Sequence, residues 1–208
     1  ELRAGLDQLV LIGSGYDTRP YRFAKELTGV RTFEVDQNAT LETKRRRASR
    51  RGYDLNSVTY VAVDLSSKRP LDALPDCGYD GKARTLFVCS GILMYLDAQA
   101  VDQVFTFIRD SEADNSVCFD YVYEAALGDS TSYYGAERMI RNVQKAGEPY
   151  RFGIDEADVG EFLVAHGFRL ISNLDPLALG QNYLVRSDGS QRGRICGFLG
   201  IAHAGLSQ

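Results

Sequence analysis

The chain has 208 residues, 44% hydrophobic and 25% charged, with 20 glycines and 5 prolines. That balance excludes a disordered, collagenous or low-complexity chain and points to one compact domain. Its 24 basic against 28 acidic residues leave a net charge of −4, which argues against a general polyanion binder, and no apolar run approaches the roughly 18 residues of a membrane span. Four cysteines (Cys77, Cys89, Cys118, Cys196) lie far apart with no C-x-x-C, beside only two histidines. Neither a zinc site nor a disulfide framework is expected from this; free thiols in a reducing, cytoplasmic compartment are. Because Glu1 stands almost directly before an apolar strand, we expect a segment upstream of it.

Short apolar runs alternate with helical stretches. Residues 9–12 are continuously apolar and close on Gly13, as a parallel strand buried on both faces should. Residues 32–36 and 58–63 read as the second and third strands, 85–89 and 117–122 as the fourth and fifth. A helix opens at Asp97, an N-cap residue, with Val101, Val104, Phe105 and Ile108 on one face. Another opens at Asp155, with Val159, Phe162, Leu163 and His166 on one face and Gly167 at its C′ position. Residues 168–174 read as a sixth strand and 195–204 as a Gly-broken last one. Alternation of this kind predicts a doubly wound α/β sheet, one domain over 1–208. The rhythm breaks between about 123 and 153. That polar stretch carries Tyr123, Tyr133, Tyr134, Tyr150 and Phe152, and reads as a lid-like insertion at a binding site.

Gly13-Ser14-Gly15-Tyr16-Asp17 follows the first strand and precedes a helix, so its glycines allow a tight turn and close approach to a ligand. Glu34 and Asp36 end the second strand about 20 residues on, where nucleotide-binding α/β folds place a ribose-binding carboxylate. Being two apart, they share a side of that strand. Asp64 ends the third strand. Three strand ends thus describe one ligand crossing the carboxyl edge of the sheet. Thr18 stands where a dinucleotide fingerprint wants glycine, Asp17 would repel a pyrophosphate, and no Walker phosphate loop occurs. A ligand with ribose, adenine and a cationic amine but no phosphate fits better. S-adenosylmethionine is that ligand, and NAD is the second choice.

Five motifs occur in order: Leu11-Ile-Gly-Ser-Gly-Tyr-Asp-Thr-Arg19, Phe33-Glu-Val-Asp36, Val63-Asp-Leu65, Ser90-Gly-Ile-Leu-Met-Tyr-Leu96 and Gly147-Glu-Pro-Tyr-Arg-Phe-Gly153. Across nearly the whole chain this resembles the leucine carboxyl methyltransferase family, which includes bacterial relatives that O-methylate polyketide carboxylates. The resemblance implies a Rossmann-like class I methyltransferase: a seven-stranded, mostly parallel sheet with an antiparallel last strand and helices on both faces. It implies S-adenosylmethionine as cofactor and S-adenosylhomocysteine as product. Gly13, Ser14 and Gly15 would pass the methionine part, Asp36 would bind the ribose, and Asp64 with Leu65 the adenine. Ser90 would lie beside the cofactor at a position usually held by Glu. The family's helical segment before the first strand, which carries a basic residue for the cofactor's carboxylate, has no counterpart here.

In-line methyl transfer needs positioning and exclusion of water rather than elaborate chemistry. A carboxylate acceptor needs no general base, whereas a hydroxyl does. His166 and His203 both read as structural, so the balance leans toward carboxyl methylation of a small molecule and no residue is assigned a catalytic role. Tyr121 and Arg151 are candidates for the acceptor pocket, Arg151 through a bidentate contact to an anion. Lys44, Arg45, Arg46, Arg47, Arg50 and Arg51 surround their helix and read as solvated. Removing those six charges from −4 leaves −10, a poor surface for nucleic acid. Two other readings stay open: an NAD-dependent oxidoreductase, and a degenerate family member serving as an interaction domain. Metal and membrane are not expected, and the oligomeric state is open.

Overall fold

The computed structural model describes residues 1–67, 69–128 and 132–207. Seven strands form one sheet in the order β3-β2-β1-β4-β5-β7-β6. They are β1 (Gln8–Ile12), β2 (Arg31–Asp36), β3 (Thr59–Ala62), β4 (Thr85–Cys89), β5 (Ser116–Val122), β6 (Phe168–Leu174) and β7 (Leu199–Leu206). All neighbours from β3 to β5 pair in parallel, while β7 runs antiparallel to both β5 and β6. Every residue of β1 is buried, as its unbroken apolar run requires at the centre of a sheet covered on both faces.

The helices are α1 (Arg19–Arg22), α2 (Asn38–Arg50), α3 (Ala98–Arg109), α4 (Ala136–Lys145), α5 (Val159–Ala165) and α6 (Pro176–Tyr183). From β1 the chain steps outward through α1, β2 and α2 to β3, then restarts at β4 and steps the other way through α3 to β5. Right-handed crossovers in opposite directions put α1 and α2 on one face and α3 on the other. The reversal point between β1 and β4 opens a crevice at the carboxyl edge, where ligands of such sheets bind.

Helix α3 opens where expected. Asp97 accepts the Ala100 N–H at 2.9 Å, and Val101, Val104, Phe105 and Ile108 are fully buried. Phe105 meets Phe119, Phe162 and Phe168 edge to face, at centroid distances of 5.2 to 5.6 Å, joining α3, β5, α5 and β6 in one aromatic cluster. Loss of the cap is expected to cost about 1 kcal/mol: Asp97→Ala should lower the unfolding free energy in a denaturant titration by that amount, and Asp97→Asn should restore it.

Three expectations shift. The helix anticipated from Asp155 begins at Val159, because the Asp155 side chain caps a turn at Ala157 N–H instead. The last strand begins at Leu199; Gly197 N–H bonds to the Tyr134 carbonyl at 2.8 Å, tying the preceding residues to the insertion. Lys44 is not solvated: it is 3% exposed and pairs with Glu34 at 2.8 Å. No helix among the described residues is long and apolar enough to cross a membrane.

Candidate functional site

The Gly-rich turn leaves β1 at the reversal point. Gly13 has φ +65°, and a Cβ there would stand 2.6 Å from the Ile92 side chain. Glycine is thus demanded by conformation and by space together. Gly13 and Ser14 N–H groups bond to the Val35 carbonyl at 2.9 and 3.1 Å, tying the turn to β2. Above Gly15 the space is open: a Cβ there would meet nothing closer than 3.9 Å.

Asp36 ends β2 and fixes the other side of the turn. Its Oδ2 accepts the Gly15 N–H at 2.7 Å and its Oδ1 the Gln37 N–H at 2.7 Å. A carboxylate has about four acceptor positions, so each oxygen keeps one for a ligand. Asp64 lies beyond the end of β3, exposed, with its Oδ1 taking the Ser66 N–H and hydroxyl at 3.0 and 2.6 Å. Those two donors hold its carboxyl below the usual range. Leu65 beside it is buried. With strands about 4.8 Å apart, Asp64, Asp36, the Gly turn and Ser90 mark a line of about 14 Å along the carboxyl edge of β3, β2, β1 and β4.

A cleft of about 320 Å³ opens at the Gly-turn and Ser90 end of this line, lined by Gly13, Ser14, Gly15, Asp17, Arg19 and Ser90 among others; Asp36, Asp64 and Leu65 lie outside its lining. Asp17 is bound by Arg19 at 2.7 Å. The Ser14 hydroxyl is buried without a partner, a spare polar group at the cleft floor. Gly91 N–H, just past Ser90, donates to Asp120 Oδ1 at 2.6 Å. Burial raises the carboxyl of Asp120 above its ordinary range, while Gly91 and Arg19 pull the other way.

Not every sequence candidate reaches the cleft. Glu34 does not: it is 0% exposed, held inside the sheet by Lys44, and its burial pushes the carboxyl up to about 7. Tyr121 is also packing rather than pocket. Strand alternation sends it to the face opposite Asp120, where it is buried, donates to Asn173 Oδ1 at 3.2 Å and fills the space left by Gly200. Arg151 is exposed, and its backbone N–H bonds to the Met94 carbonyl at 2.7 Å, which sets it beside the loop after β4. Tyr150 packs edge to face on Tyr95 at 5.2 Å, so the insertion closes over that same loop. The insertion therefore contacts the loop after β4, and residues 129–131 within it lie outside the described residues.

Neither histidine faces the cleft. His166 bonds to the Phe162 carbonyl and Asp102, and His203 to Glu1. Among the described residues no cluster of three or more His, Cys, Asp or Glu is placed to hold a metal ion. Two residues that matter here escaped sequence reasoning. Lys44, whose Nζ also reaches the Ser14 carbonyl at 3.3 Å, was hidden within a run of arginines. Asp120 lies within the fifth strand's run and carries no sequence signal of its own.

A central Gly turn, a carboxylate on the neighbouring strand and a seven-stranded sheet with an antiparallel β7 define the class I methyltransferase fold. The chain belongs to the leucine carboxyl methyltransferase family, whose model matches residues 1–109. It is 29% identical over 186 residues to a protein of Mycobacterium avium (strain 104), covering 85% of this chain and 57% of the relative. A Mycobacterium marinum (strain ATCC BAA-535 / M) protein is 29% identical over 180 residues, with 84% and 57% covered. Both are named as candidate S-adenosyl-L-methionine-dependent methyltransferases. The chain thus spans just over half the length of these relatives. Among solved structures it resembles the mitomycin 7-O-methyltransferase MmcR, with a TM-score of 0.61, 12% identity and coverage of 97% of this chain and 49% of that one. The glycopeptide N-methyltransferase MtfA superposes with a TM-score of 0.59 at 14% identity, covering 99% and 91%. These likenesses are of fold.

Proposed function

We propose that the chain is the S-adenosylmethionine-binding domain of an O-methyltransferase that methylates a carboxylate or hydroxyl of a small molecule. The observation that carries this is the pairing of the Gly15 N–H with Asp36, which sets the carboxylate beside the Gly-rich turn and leaves one acceptor position on each of its oxygens. A ribose diol needs two such acceptors. The spare Ser14 hydroxyl and the open space above Gly15 fit the same ligand, and the family and its named relatives support it. When bound, the cofactor supplies a methyl group already activated as a sulfonium. What the protein adds is position: Gly13, Ser14 and Gly15 for the methionine end, Asp36 for the ribose, Asp64 and Leu65 for the adenine, Ser90 beside the cofactor, and the lid-like insertion over the acceptor.

Carboxyl methylation is the better of the two acceptor chemistries. Both histidines are committed to structural bonds away from the cleft, and a carboxylate needs no base. Arg151, which no described side chain engages, is free to hold an anionic acceptor.

The test has two steps. Calorimetric titration with S-adenosylhomocysteine should show saturable binding at one site. Incubation with methyl-labelled S-adenosylmethionine and a panel of small carboxylic acids and phenols should then yield a product that releases methanol in base, as methyl esters do and ethers do not. A base-stable product would move the assignment to a hydroxyl acceptor. Binding without turnover on any acceptor would favour the interaction-domain reading.

A further inference from the structure

The methionine end of S-adenosylmethionine carries an α-ammonium as well as a carboxylate, and a buried cation needs a compensating anion. The strand end nearest the Gly turn does not provide one, since Val88, Ser90 and Gly91 line it and none is charged. Asp17 is already engaged by Arg19. The next carboxylate along the edge is Asp120.

Parallel register pairs Cys89 of β4 with Phe119 of β5, which sets Asp120 directly beside Ser90. Its Oδ1 holds the Gly91 N–H at 2.6 Å, so the carboxylate is aimed at the loop that borders the cleft. Among the described residues no other residue donates a hydrogen bond to it. Arg19, the cation that acts on it, spends its Nη1 on Asp17. Asp120 is thus a largely buried anion whose two donors, the Gly91 N–H and its own backbone N–H, are both neutral. Burial shows in its raised proton affinity, the signature of a charge awaiting a partner.

We infer that Asp120, rather than residue 90, supplies the negative charge that receives the α-ammonium of the bound cofactor. This rests on reading the cleft as the S-adenosylmethionine site. A hydroxyl at position 90 is then sufficient, because the charge has moved one strand across to β5. Asp120 acts here as a cofactor-binding residue. It does not take a proton from the acceptor.

The experiment compares two ligands that share the adenosyl thioether. S-adenosylhomocysteine has the amino-acid end, and 5′-methylthioadenosine lacks it. Asp120→Asn keeps an oxygen for the Gly91 N–H but removes the charge, and Asp120→Ser serves as a second variant with the same expectation. By calorimetry, either variant should bind S-adenosylhomocysteine about tenfold to a hundredfold more weakly, the range of a hydrogen bond to a charged group. Affinity for 5′-methylthioadenosine should not change. Adding Ser90→Glu to Asp120→Asn should restore much of the loss, which a purely structural role for Asp120 would not allow. Equal weakening of both ligands, or full retention of S-adenosylhomocysteine affinity with slowed methyl transfer, would overturn the assignment; the latter would make Asp120 a base. If the unsubstituted chain binds neither ligand, the cofactor reading itself falls, and this inference with it.

Discussion

Replacing Asp36 by alanine is expected to weaken S-adenosylhomocysteine binding by at least about 100-fold, with little change in folding. The carboxylate makes two bonds of its own, to Gly15 N–H and Gln37 N–H. In our reading it makes two more to the ribose. Each hydrogen bond to a charged group contributes about 1.5–3 kcal/mol, so losing two of them exceeds a 100-fold change in affinity. The folded chain is less sensitive, because Gln37 N–H lies at an exposed site and Gly15 N–H at a half-buried one, both within reach of water. Asp36→Asn tests the argument more finely. Its amide has one oxygen, which cannot accept at Gly15 and Gln37 and also serve both ribose hydroxyls, so an intermediate loss is expected. Calorimetry on the three proteins, with thermal unfolding alongside, checks this. An Asp36→Ala chain that binds as the parent does would place the ribose elsewhere.

Much of this geometry can be read from residue order, for a physical reason. Strands at the centre of a parallel sheet are buried on both faces, so β1, β4 and β5 announce themselves as apolar runs, and the ligand edge follows from where those runs stop. Asp97, Gly13 and Gly167 are local signals, each tied to one backbone conformation. What the order of residues hides is whatever depends on facing partners. Lys44 sits among five arginines, and only α2 lying against β2 decides which cation of the run turns inward. Glu34 and Asp36 share a strand face, yet two residues of depth separate a buried counter-ion from a carboxylate that holds the Gly15 N–H of the turn. Tyr121 and Asp120 are adjacent, and the pleat alone assigns one to the core and the other to the loop after β4. Helix α6 buries only Leu179 and Gly180, too little to leave an apolar stripe, whereas α4 carries one, with Ala136, Met139, Ile140 and Val143 at i, i+3, i+4 and i+7, that the surrounding polar, aromatic stretch obscures.

The buried pair under the Gly turn leads to the largest expected effect on stability. Lys44→Met leaves Glu34 inside the sheet without its cation, and breaking a buried ion pair from one side costs about 3–5 kcal/mol. The cost should depend on pH, in a direction that Glu34 dictates. Burial raises its folded carboxyl to about 7, from 4.5 for an ordinary glutamate, against the opposing pull of Lys44. Asp17 and Asp36 face it as well and add to the rise. Between those two pH values the folded chain therefore holds a proton that the unfolded chain has released, so the Glu34 contribution to stability falls as pH climbs from 4.5 to 7 and is level above. Without Lys44 the folded value rises further, and the decline extends to higher pH. Denaturant unfolding should thus show a large deficit for Lys44→Met at pH 8 and a small one at pH 5.5, where Glu34 is protonated in both proteins. Adding Glu34→Gln should recover most of the loss at pH 8, because the orphaned charge is gone. The double variant should still bind S-adenosylhomocysteine more weakly than the parent, since the Lys44 bond to the Ser14 carbonyl steadies the turn from below. An equal deficit at both pH values would mean that Lys44 matters for its packing rather than for the charge it neutralises.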